Sequence, residues 1–341
     1  MANIRDVAVR ARVSPATVSR VLSGDPRLRV ADDTRARVVD AVRELKYVPS
    51  HAGRSLRTAR SRAVAVVVPD VTSAVFAELT AGATEAATER GLTVVLARAE
   101  EVNADSEWMT RVVGEGRVDG LILQIPDGSP PDLIDALALL PIPIVVINSV
   151  DHGPLNTIVL NDAAGVRTAV DHLVDLGHRD IGFIGGVDSS ATGTRRRNAF
   201  IESLRAHKLS VPGESSPAGW VTACGYSGQQ GRVAATKLLS LPNLPTALVV
   251  ANLNAALGVL AEVHRSPLRV PDDMSLVALH DVWYADSIWP PLTTVRMPLR
   301  QLGAAAVELV AESRTSETVH SVVGEAPVLI VRESTTSRPV L

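Results

Sequence analysis

An α/β fold preceded by a small helical head is what the chain predicts, on three observations. From Ala63 onward, short β-branched runs (AVAVVVPD, LTVVLA, VDGLILQ, PIVVIN) alternate with helical stretches, and a second series (RDIGFIGG, GWVTACG, PTALVVAN, MSLVALHD) repeats the alternation. Near-continuous apolar strands separated by helices indicate βαβ units and buried parallel sheets, so two series predict two lobes. Before Ala63 there are three short amphipathic helices instead. The charge divides at the same place. Residues 1–62 carry 14 basic and 6 acidic side chains, a net of +8, while the rest carries 20 basic and 31 acidic, a net of −11.

The first helix is IRDVAVRA, with Ile4, Val7, Ala8 and Ala11 spaced i, i+3, i+4, i+7. Arg12 and Val13 make a tight turn. The second helix starts where Ser14 serves as N-cap and Pro15 takes the first helical position, which needs no N–H. Val18, Val21 and Leu22 share one face. Ala16, Ser19, Arg20 and Ser23 share the other, with Thr17 on its flank. SGDPRLRV is a loop with Gly and Pro breakers. The third helix, DDTRARVVDAVRELKY, is expected to bury Val38, Val42 and Leu45, and Asp32 and Asp33 suit its positive N-terminal end. Pro49 stops it. Between Pro49 and Val64 lie four arginines and no acid, a marginal segment expected to order on a partner.

In the body, the intervening helices include AELTAGATEAATERG, SEWMTRVVGEG, AAGVRTAVDHLVDLG, TRRRNAFIESLRAHK and GQQGRVAATKLLSL. Ligands of such folds bind outside the carboxyl ends of the strands. With 46% hydrophobic and 21% charged residues, the composition is globular. A single cysteine, Cys224, excludes an intrachain disulfide framework. MANIRDVAVRARVS has no apolar signal core, and ALALLPIPIVVIN carries two prolines and is too short to span a bilayer. The expectation is a cytoplasmic protein with no membrane partner.

Helix, tight turn and capped helix make a helix-turn-helix, whose second helix enters the DNA major groove N-terminus first. The outer face fits that role. Small residues allow close approach, Ser and Thr reach phosphates or bases, and Arg20 can pair bidentately with guanine. The candidate DNA-reading residues are Ser14, Pro15, Ala16, Thr17, Ser19, Arg20 and Ser23. Pro15 and Ala16 have no hydrogen-bonding side chain, so base choice beside them rests on apolar contact or backbone approach.

Beyond this point the chain resembles the lactose/galactose repressor family of bacterial transcription regulators. The resemblance is carried by IRDVAVRARVSPATVSRVLSG, TRARVVDAVRELKYVPS and GRSLRT in the head. It continues in the body through VFAELTAG, RVDGLIL, DHLVDLGHRDIGFIGG, LRVPDDMSLVALHD and PPLTTVRMP. It implies a homodimer or tetramer whose paired heads read a pseudo-palindromic double-stranded operator. It also implies a hinge helix that forms on DNA and wedges a leucine, Leu56 here, into the minor groove. Such a wedge unstacks a base step and bends the duplex; Arg54 and Arg57 can neutralise phosphates beside it. Three departures stand out: Gly53 where alanine is usual, which weakens the hinge helix by about 1 kcal/mol; Ala31 where a Ser or Thr cap is usual; and a longer Gly24–Arg29 loop.

The body resembles type I periplasmic sugar-binding proteins, with a small sugar or sugar-like effector between two lobes. The resemblance implies that Arg196 holds ligand hydroxyls or carboxylate, that Asp281 is the ligand-binding aspartate, and that Phe76 is a wall. Asn148 and Asn252 match polar contacts, and Thr192 and Tyr226 line the pocket in some members. Of the three consecutive arginines 195–197, at least two are expected to face solvent. Ser73-Ala74-Val75-Phe76, Leu253 and Ala278-Leu279-His280-Asp281-Val282 depart from the usual motifs and make the pocket less polar. The expected division is 1–47 for the head, 48–62 for the hinge and 63–341 for the body. Lobe 1 is expected at about 63–159 and 294–317, lobe 2 at about 160–292 and 318–335.

No catalytic set emerges, and no cofactor or metal is expected. GFIGG lacks the spacing and following acid of a dinucleotide site. His280 and Asp281 are adjacent, a poor geometry for a catalytic pair, and no nucleophile motif accompanies them. His152, His172 and His178 lack metal-ligand spacing and read as surface or loop residues. The function expected is a ligand-responsive, sequence-specific transcriptional repressor, not an enzyme. The rival is a sugar-receptor-like module whose basic head binds a protein. The two separate on one measurement: operator affinity should fall steeply with salt and fall again in Leu56→Ala. Affinity insensitive to both would overturn the head-and-hinge reading.

Overall fold

A computed structural model describes residues 2–23, 25, 27–47, 60–99, 107–125, 129, 132–149, 154–312 and 318–338. Gly53, Arg54, Leu56 and Arg57 lie outside the described residues. The chain divides into two compact units, Met1–Ser61 and Arg62–Leu341.

The first unit holds α1 (Ile4–Ala11), α2 (Pro15–Leu22) and α3 (Asp32–Glu44). Asn3 caps α1 reciprocally. Its side chain accepts from the Arg5 and Asp6 amides, and its own N–H donates to the Asp6 carboxylate at 2.8 Å. Arg12 turns left-handed at φ 56°, and α2 begins three residues later. Ser14 Oγ accepts the Thr17 amide at 3.1 Å, with Pro15 at the first helical position. Ala31 gives α3 no side-chain cap, and Asp32 and Asp33 occupy its first turn. The three helices close on Val7, Ala8, Ala11, Val18, Val21, Val38 and Ala41. Val42 and Leu45, expected in the core, are half-buried at its rim, because Ala41 faces inward and the helix ends at Glu44. Arg37 Nε donates to the Ala11 carbonyl at 3.3 Å, satisfying an acceptor that the end of α1 leaves open.

The second unit has two six-stranded sheets. The first contains β1 (Ala63–Val68), β2 (Thr93–Arg98), β3 (Gly120–Leu123), β4 (Ile144–Ile147) and β5 (Asn156–Val159). With a later strand, β11 (His320–Val322), its spatial order is β11-β5-β4-β3-β1-β2, parallel throughout. Its helices are α4 (Ala74–Glu89), the short α5 (Glu107–Met109), which continues as a π-helical turn Thr110–Gly114, and α6 (Leu133–Ala138). The second sheet contains β6 (Ile181–Gly185), β7 (Val221–Ala223), β8 (Ala247–Val250), β9 (Ser275–Leu279) and β10 (Thr293–Arg296). With β12 (Val328–Ile330), its order is β12-β10-β9-β8-β6-β7. Only β12 runs antiparallel. Around it lie α7 (Asp162–Asp175), α8 (Ala191–Ala206), α9 (Gly228–Leu239) and α10 (Leu253–Val263). Strands β1, β3, β4, β6, β8 and β9 are buried along their whole length, which is why they read as unbroken apolar runs.

The chain passes between the sheets three times, after β5, after β10 and between β11 and β12. Two of these crossings correct the expected lobe limits. Thr293–Arg296 pairs with β9 and belongs to the second sheet, whereas His320–Val322 pairs with β5 and belongs to the first. The crossings therefore lie near 297 and 323–327. Three- and four-residue strands at sheet margins carry too little periodicity to be placed from sequence.

A last helix, α11 (Leu299–Glu312), returns to the first lobe and packs along α4. Glycines set the distance between them. A methyl group on Gly303 would meet the Leu79 carbonyl oxygen, and one on Gly82 the Arg300 carbonyl. The second lobe repeats the device, with Gly231 against the Ala255 carbonyl and Gly258 against the Gly228 carbonyl. In a free helix Gly→Ala gains up to about 1 kcal/mol. Against a backbone oxygen, overpacking costs about 1–3 kcal/mol. Gly303→Ala should therefore destabilise the second unit, read as a lower urea midpoint by tryptophan fluorescence. Gly114→Ala, where a methyl group meets nothing within 4 Å, should not.

Candidate functional site

In the first unit, the outward surface of α2 is built as the sequence placed it. Ser14, Pro15, Ala16, Arg20 and Ser23 are exposed, and Thr17 and Ser19 are half-buried. Val18 and Val21 hold the helix to the core from behind. The hydroxyls are partly engaged: Ser14 Oγ and Thr17 Oγ1 lie 2.9 Å apart, and Ser23 Oγ donates to the Arg20 carbonyl at 3.1 Å. Arg20 Nε sits 3.3 Å from Asp25 Oδ2.

In the second unit, the carboxyl ends of the second sheet's strands converge on a buried arginine. Arg196 rises from the first turns of α8 and is 3% exposed. Its Nε donates to Asp162 Oδ1 at 2.7 Å, Nη1 to the Ala251 carbonyl at 2.6 Å, and Nη2 to His280 Nε2 at 3.1 Å. Burial, the largest single effect, works against the guanidinium charge, but Asp162 and Tyr226 together outweigh it and push the Arg196 pKa up. Asp162 also takes Arg195 Nε at 3.0 Å. Arg195 is therefore half-buried and Arg197 alone of the three arginines is exposed, which corrects the expectation of two solvent-facing arginines. One buried carboxylate holding two guanidiniums is the reason.

From this cluster, side chains cross to the first lobe. Arg195 Nη2 donates to Thr192 Oγ1 at 3.1 Å, and Thr192 Oγ1 donates to the Asn148 carbonyl at 2.5 Å. Arg195 Nη1 reaches the Ser149 carbonyl at 3.3 Å. Asn148 bends left-handed at φ 48°, and its Oδ1 accepts the Leu160 amide at 3.0 Å. Asn252 caps α10, accepting from the Ala255 amide at 2.8 Å, and its Nδ2 donates to the Tyr226 carbonyl at 3.1 Å. The Tyr226 hydroxyl lies 3.4 Å from Ser190 Oγ. Thr192, Arg196 and Asn148 thus belong to one polar network, and Asn252 and Tyr226 are bonded to each other beside it, Asn252 following the Ala251 carbonyl that Arg196 holds.

Two residues expected with them are elsewhere. Asp281 is taken by Thr294 Oγ1 (2.8 Å), Arg296 Nη2 (2.8 Å) and Arg332 Nη2 (2.8 Å). Burial raises its carboxyl pKa, and the bonds from Arg296, Thr294 and Arg332 reverse this and hold it below the usual range. Phe76 lines a groove of about 780 Å³ with Val71, Thr80, Thr84 and Leu96, on the outer side of α4. The residue that reaches Arg196 is His280, one position earlier than expected. It lies just past β9 in the left-handed region at φ 68°, and its side chain meets Arg196 while that of Asp281 is taken by Thr294, Arg296 and Arg332. Arginine can only donate, so His280 Nε2 accepts and Nδ1 carries the proton. Nδ1 has no partner among the described residues. Burial, then the charge of Arg196, pushes the His280 pKa well below its ordinary value. His280 was visible in sequence only as a departure from an acidic motif. His178, read as a surface residue, is buried against Thr246 Oγ1 (2.9 Å), Ser275 Oγ (3.0 Å) and the Thr336 carbonyl (3.1 Å), because its loop tucks under the sheet's amino edge. His152 lies outside the described residues.

Among the described residues, no group of three or more His, Cys, Asp or Glu side chains could hold a metal ion, and no helix is long and apolar enough to cross a membrane.

A helix-turn-helix unit joined to a two-sheet, ligand-binding-protein-like body defines a DNA-binding regulator with an effector domain. Comparison with known proteins agrees. Residues 3–50 match the model of bacterial regulatory proteins of the lacI family, and residues 170–335 match a periplasmic binding protein-like domain. The chain is 31% identical, over 99% of its length and 98% of the relative's, to the HTH-type transcriptional repressor PurR of Pectobacterium atrosepticum. It superposes on the Lac repressor dimer bound to operator and the anti-inducer ONPF with TM-score 0.79 and 27% identity, over 98% of this chain and 99% of that one. It also superposes on the transcriptional regulator CelR–cellobiose complex with TM-score 0.70 and 27% identity, over 98% and 100%. The chain belongs to the LacI family of bacterial transcriptional regulators, which are DNA-binding repressors with small-molecule effectors and not enzymes.

Three histidines give the second unit a pH signature. Burial lowers the pKa values of His172, His178 and His280, so the unfolded chain takes up protons near pH 6.5 that the folded chain refuses. Stability is then complete above about pH 6.5 and is lost as pH falls below it. Each such histidine adds a slope of up to about 1.4 kcal/mol per pH unit. His280→Gln should remove one proton's worth of the slope between pH 6.5 and 5 in urea titrations. Asp281 acts only at lower pH, through the carboxylate range.

Proposed function

We propose that this repressor binds a pseudo-palindromic operator as a homodimer in the cytoplasm, and that a sugar or sugar-like effector controls it. The effector seats at the Asp162–Arg196–His280 cluster, with Thr192, Asn148, Asn252 and Tyr226 as further contacts. The observation that carries this is the His280 Nδ1–H, a buried donor without a partner among the described residues, beside a buried arginine. An unsatisfied buried donor costs about 1–3 kcal/mol, and a ligand oxygen would relieve that cost. Alternating donors and acceptors suit the vicinal hydroxyls of a sugar, and a relative in the family is known as a complex with cellobiose. Asn148 lies on the first lobe and Arg196 on the second, so a ligand touching both would shift the balance of lobe arrangements. Operator and effector affinities would then change reciprocally.

Dimerisation is supported by the groove beside α4 and by the outer strand β2, where Val71, Val95 and Leu96 are exposed. At the DNA surface, Ser14, Pro15, Ala16, Thr17, Ser19, Arg20 and Ser23 read the operator, with Arg54, Leu56 and Arg57 in the minor groove and on its phosphates.

The test is a thermal-shift panel of mono- and disaccharides, sugar acids and sugar phosphates on the full-length protein. Hits are then titrated against the protein bound to DNA from upstream of its own gene. A true effector should change operator affinity at least fivefold, the usual scale of allosteric coupling. His280→Ala and Arg196→Lys should each weaken it about tenfold or more while leaving effector-free operator affinity in place. A hit bound equally by both variants would place the effector elsewhere. A panel that leaves operator affinity unmoved would overturn the sugar class.

A further inference from the structure

Arg20 is the long cation of α2, and its side chain is 55% exposed. An exposed arginine samples many rotamers, and most of them do not aim its donors at a base edge. Asp25 sits just past the helix and is only 11% exposed. Its position is fixed by its own backbone: the Asp25 amide donates to the Arg20 carbonyl at 3.2 Å. Its Oδ1 accepts the Arg27 amide at 3.0 Å, and Oδ2 faces Arg20 Nε at 3.3 Å. The Arg27 guanidinium stands 3.7 Å from Oδ1. The carboxylate is therefore tied on one oxygen and aimed with the other.

An acid on a DNA-facing surface repels phosphates unless it is covered and compensated. Asp25 is both, lying between two arginines. The Arg27 amide, ahead of a smaller opposing effect of burial, also keeps its carboxyl pKa below the usual value, so it is charged at neutral pH. Asp25 forms an ion pair with Arg20 at Nε, and the terminal nitrogens Nη1 and Nη2 have no partner among the described residues.

We infer that Asp25 is a specificity-determining positioning residue, which holds Arg20 by Nε so that Nη1 and Nη2 meet guanine O6 and N7 end-on. The inference rests on the reading of the head as a DNA-reading unit. A bidentate pair demands a fixed fork, and Asp25 fixes it before DNA arrives. Lysine at position 20 could not be held this way, having no Nε–H beside a fork. The longer Gly24–Arg29 loop, noted from sequence as a departure, supplies the acid.

The test is selection from a random duplex library by full-length wild type, Arg20→Ala and Asp25→Asn, followed by affinity for the selected site and for random-sequence duplex. Arg20→Ala marks the base pair that Arg20 reads. Asp25→Asn keeps an oxygen for the Arg27 amide and puts an uncharged NH2 donor where the accepting oxygen faced Arg20. The expected result is a guanine preference at the marked pair reduced about fivefold, the low end of what a bidentate pair supplies. Affinity for random duplex should not fall, since one negative charge near the phosphates is gone. Unchanged guanine preference in Asp25→Asn would overturn the inference. So would a parallel loss of specific and random affinity, which marks a damaged head. Wild type enriching no sequence would overturn the DNA-reading assignment itself, and the inference with it.

Discussion

The body depends on one buried ion pair. Asp162 opens α7, Arg196 stands in α8, the Ala251 carbonyl follows β8, and His280 follows β9. Four segments from distant parts of the chain are fixed at one edge of the second sheet by a single guanidinium. A buried charge without a partner is costly, and removing one member of such a pair typically costs about 3–5 kcal/mol. The carboxylate must therefore be there, and it must be shared. Arg195 takes its other oxygen and carries the network across to Ser149 of the first lobe. The same interaction that closes the sheet's edge thus connects the two lobes, so the site is positioned by what stabilises it.

The remaining organisation follows from close packing. Each lobe brings a pair of helices to backbone contact over glycines, Gly82 and Gly303 in one and Gly231 and Gly258 in the other. Helices that touch so closely slide poorly, so each lobe is a stiff body. Motion is left to the three crossings and to the few polar contacts between lobes, among them Asn254 Nδ2 to Ser73 Oγ at 2.9 Å. Stiff lobes joined by polar contacts are what a ligand-controlled switch needs, because polar contacts exchange for ligand contacts at little net cost.

The head works on a smaller scale. Among the described residues its core is seven buried side chains, three of them alanine, and its helices are shaped by caps and turns: Asn3, Ser14 and the left-handed Arg12. The Ser14 cap and the Arg12 turn are local, which is why they were legible in sequence; the Asn3 cap came from the structure. The second helix's outer face was legible for the same reason, since a helix of eight residues has only one way to bury Val18 and Val21. Val42 and Leu45 were misjudged because their burial depends on where neighbouring helices end. Asp25 went unnoticed because nothing in GDPR says which way the carboxylate points.

The sequence by itself determined the two-unit plan, the alternating strands and helices, the small-faced second helix and the charge division between head and body. These are set by periodicity, capping and composition, which act over a few residues. Only the tertiary structure decided which of His280 and Asp281 joins Arg196, because His280, left-handed just past β9, meets the guanidinium while Asp281 is taken by Thr294, Arg296 and Arg332. It alone showed that Asp162, silent in sequence, holds two of three arginines, and that β10 and β11 trade lobes. Those outcomes rest on contacts between residues tens to more than a hundred positions apart, where the physics is that of pairing a buried charge and satisfying a buried donor.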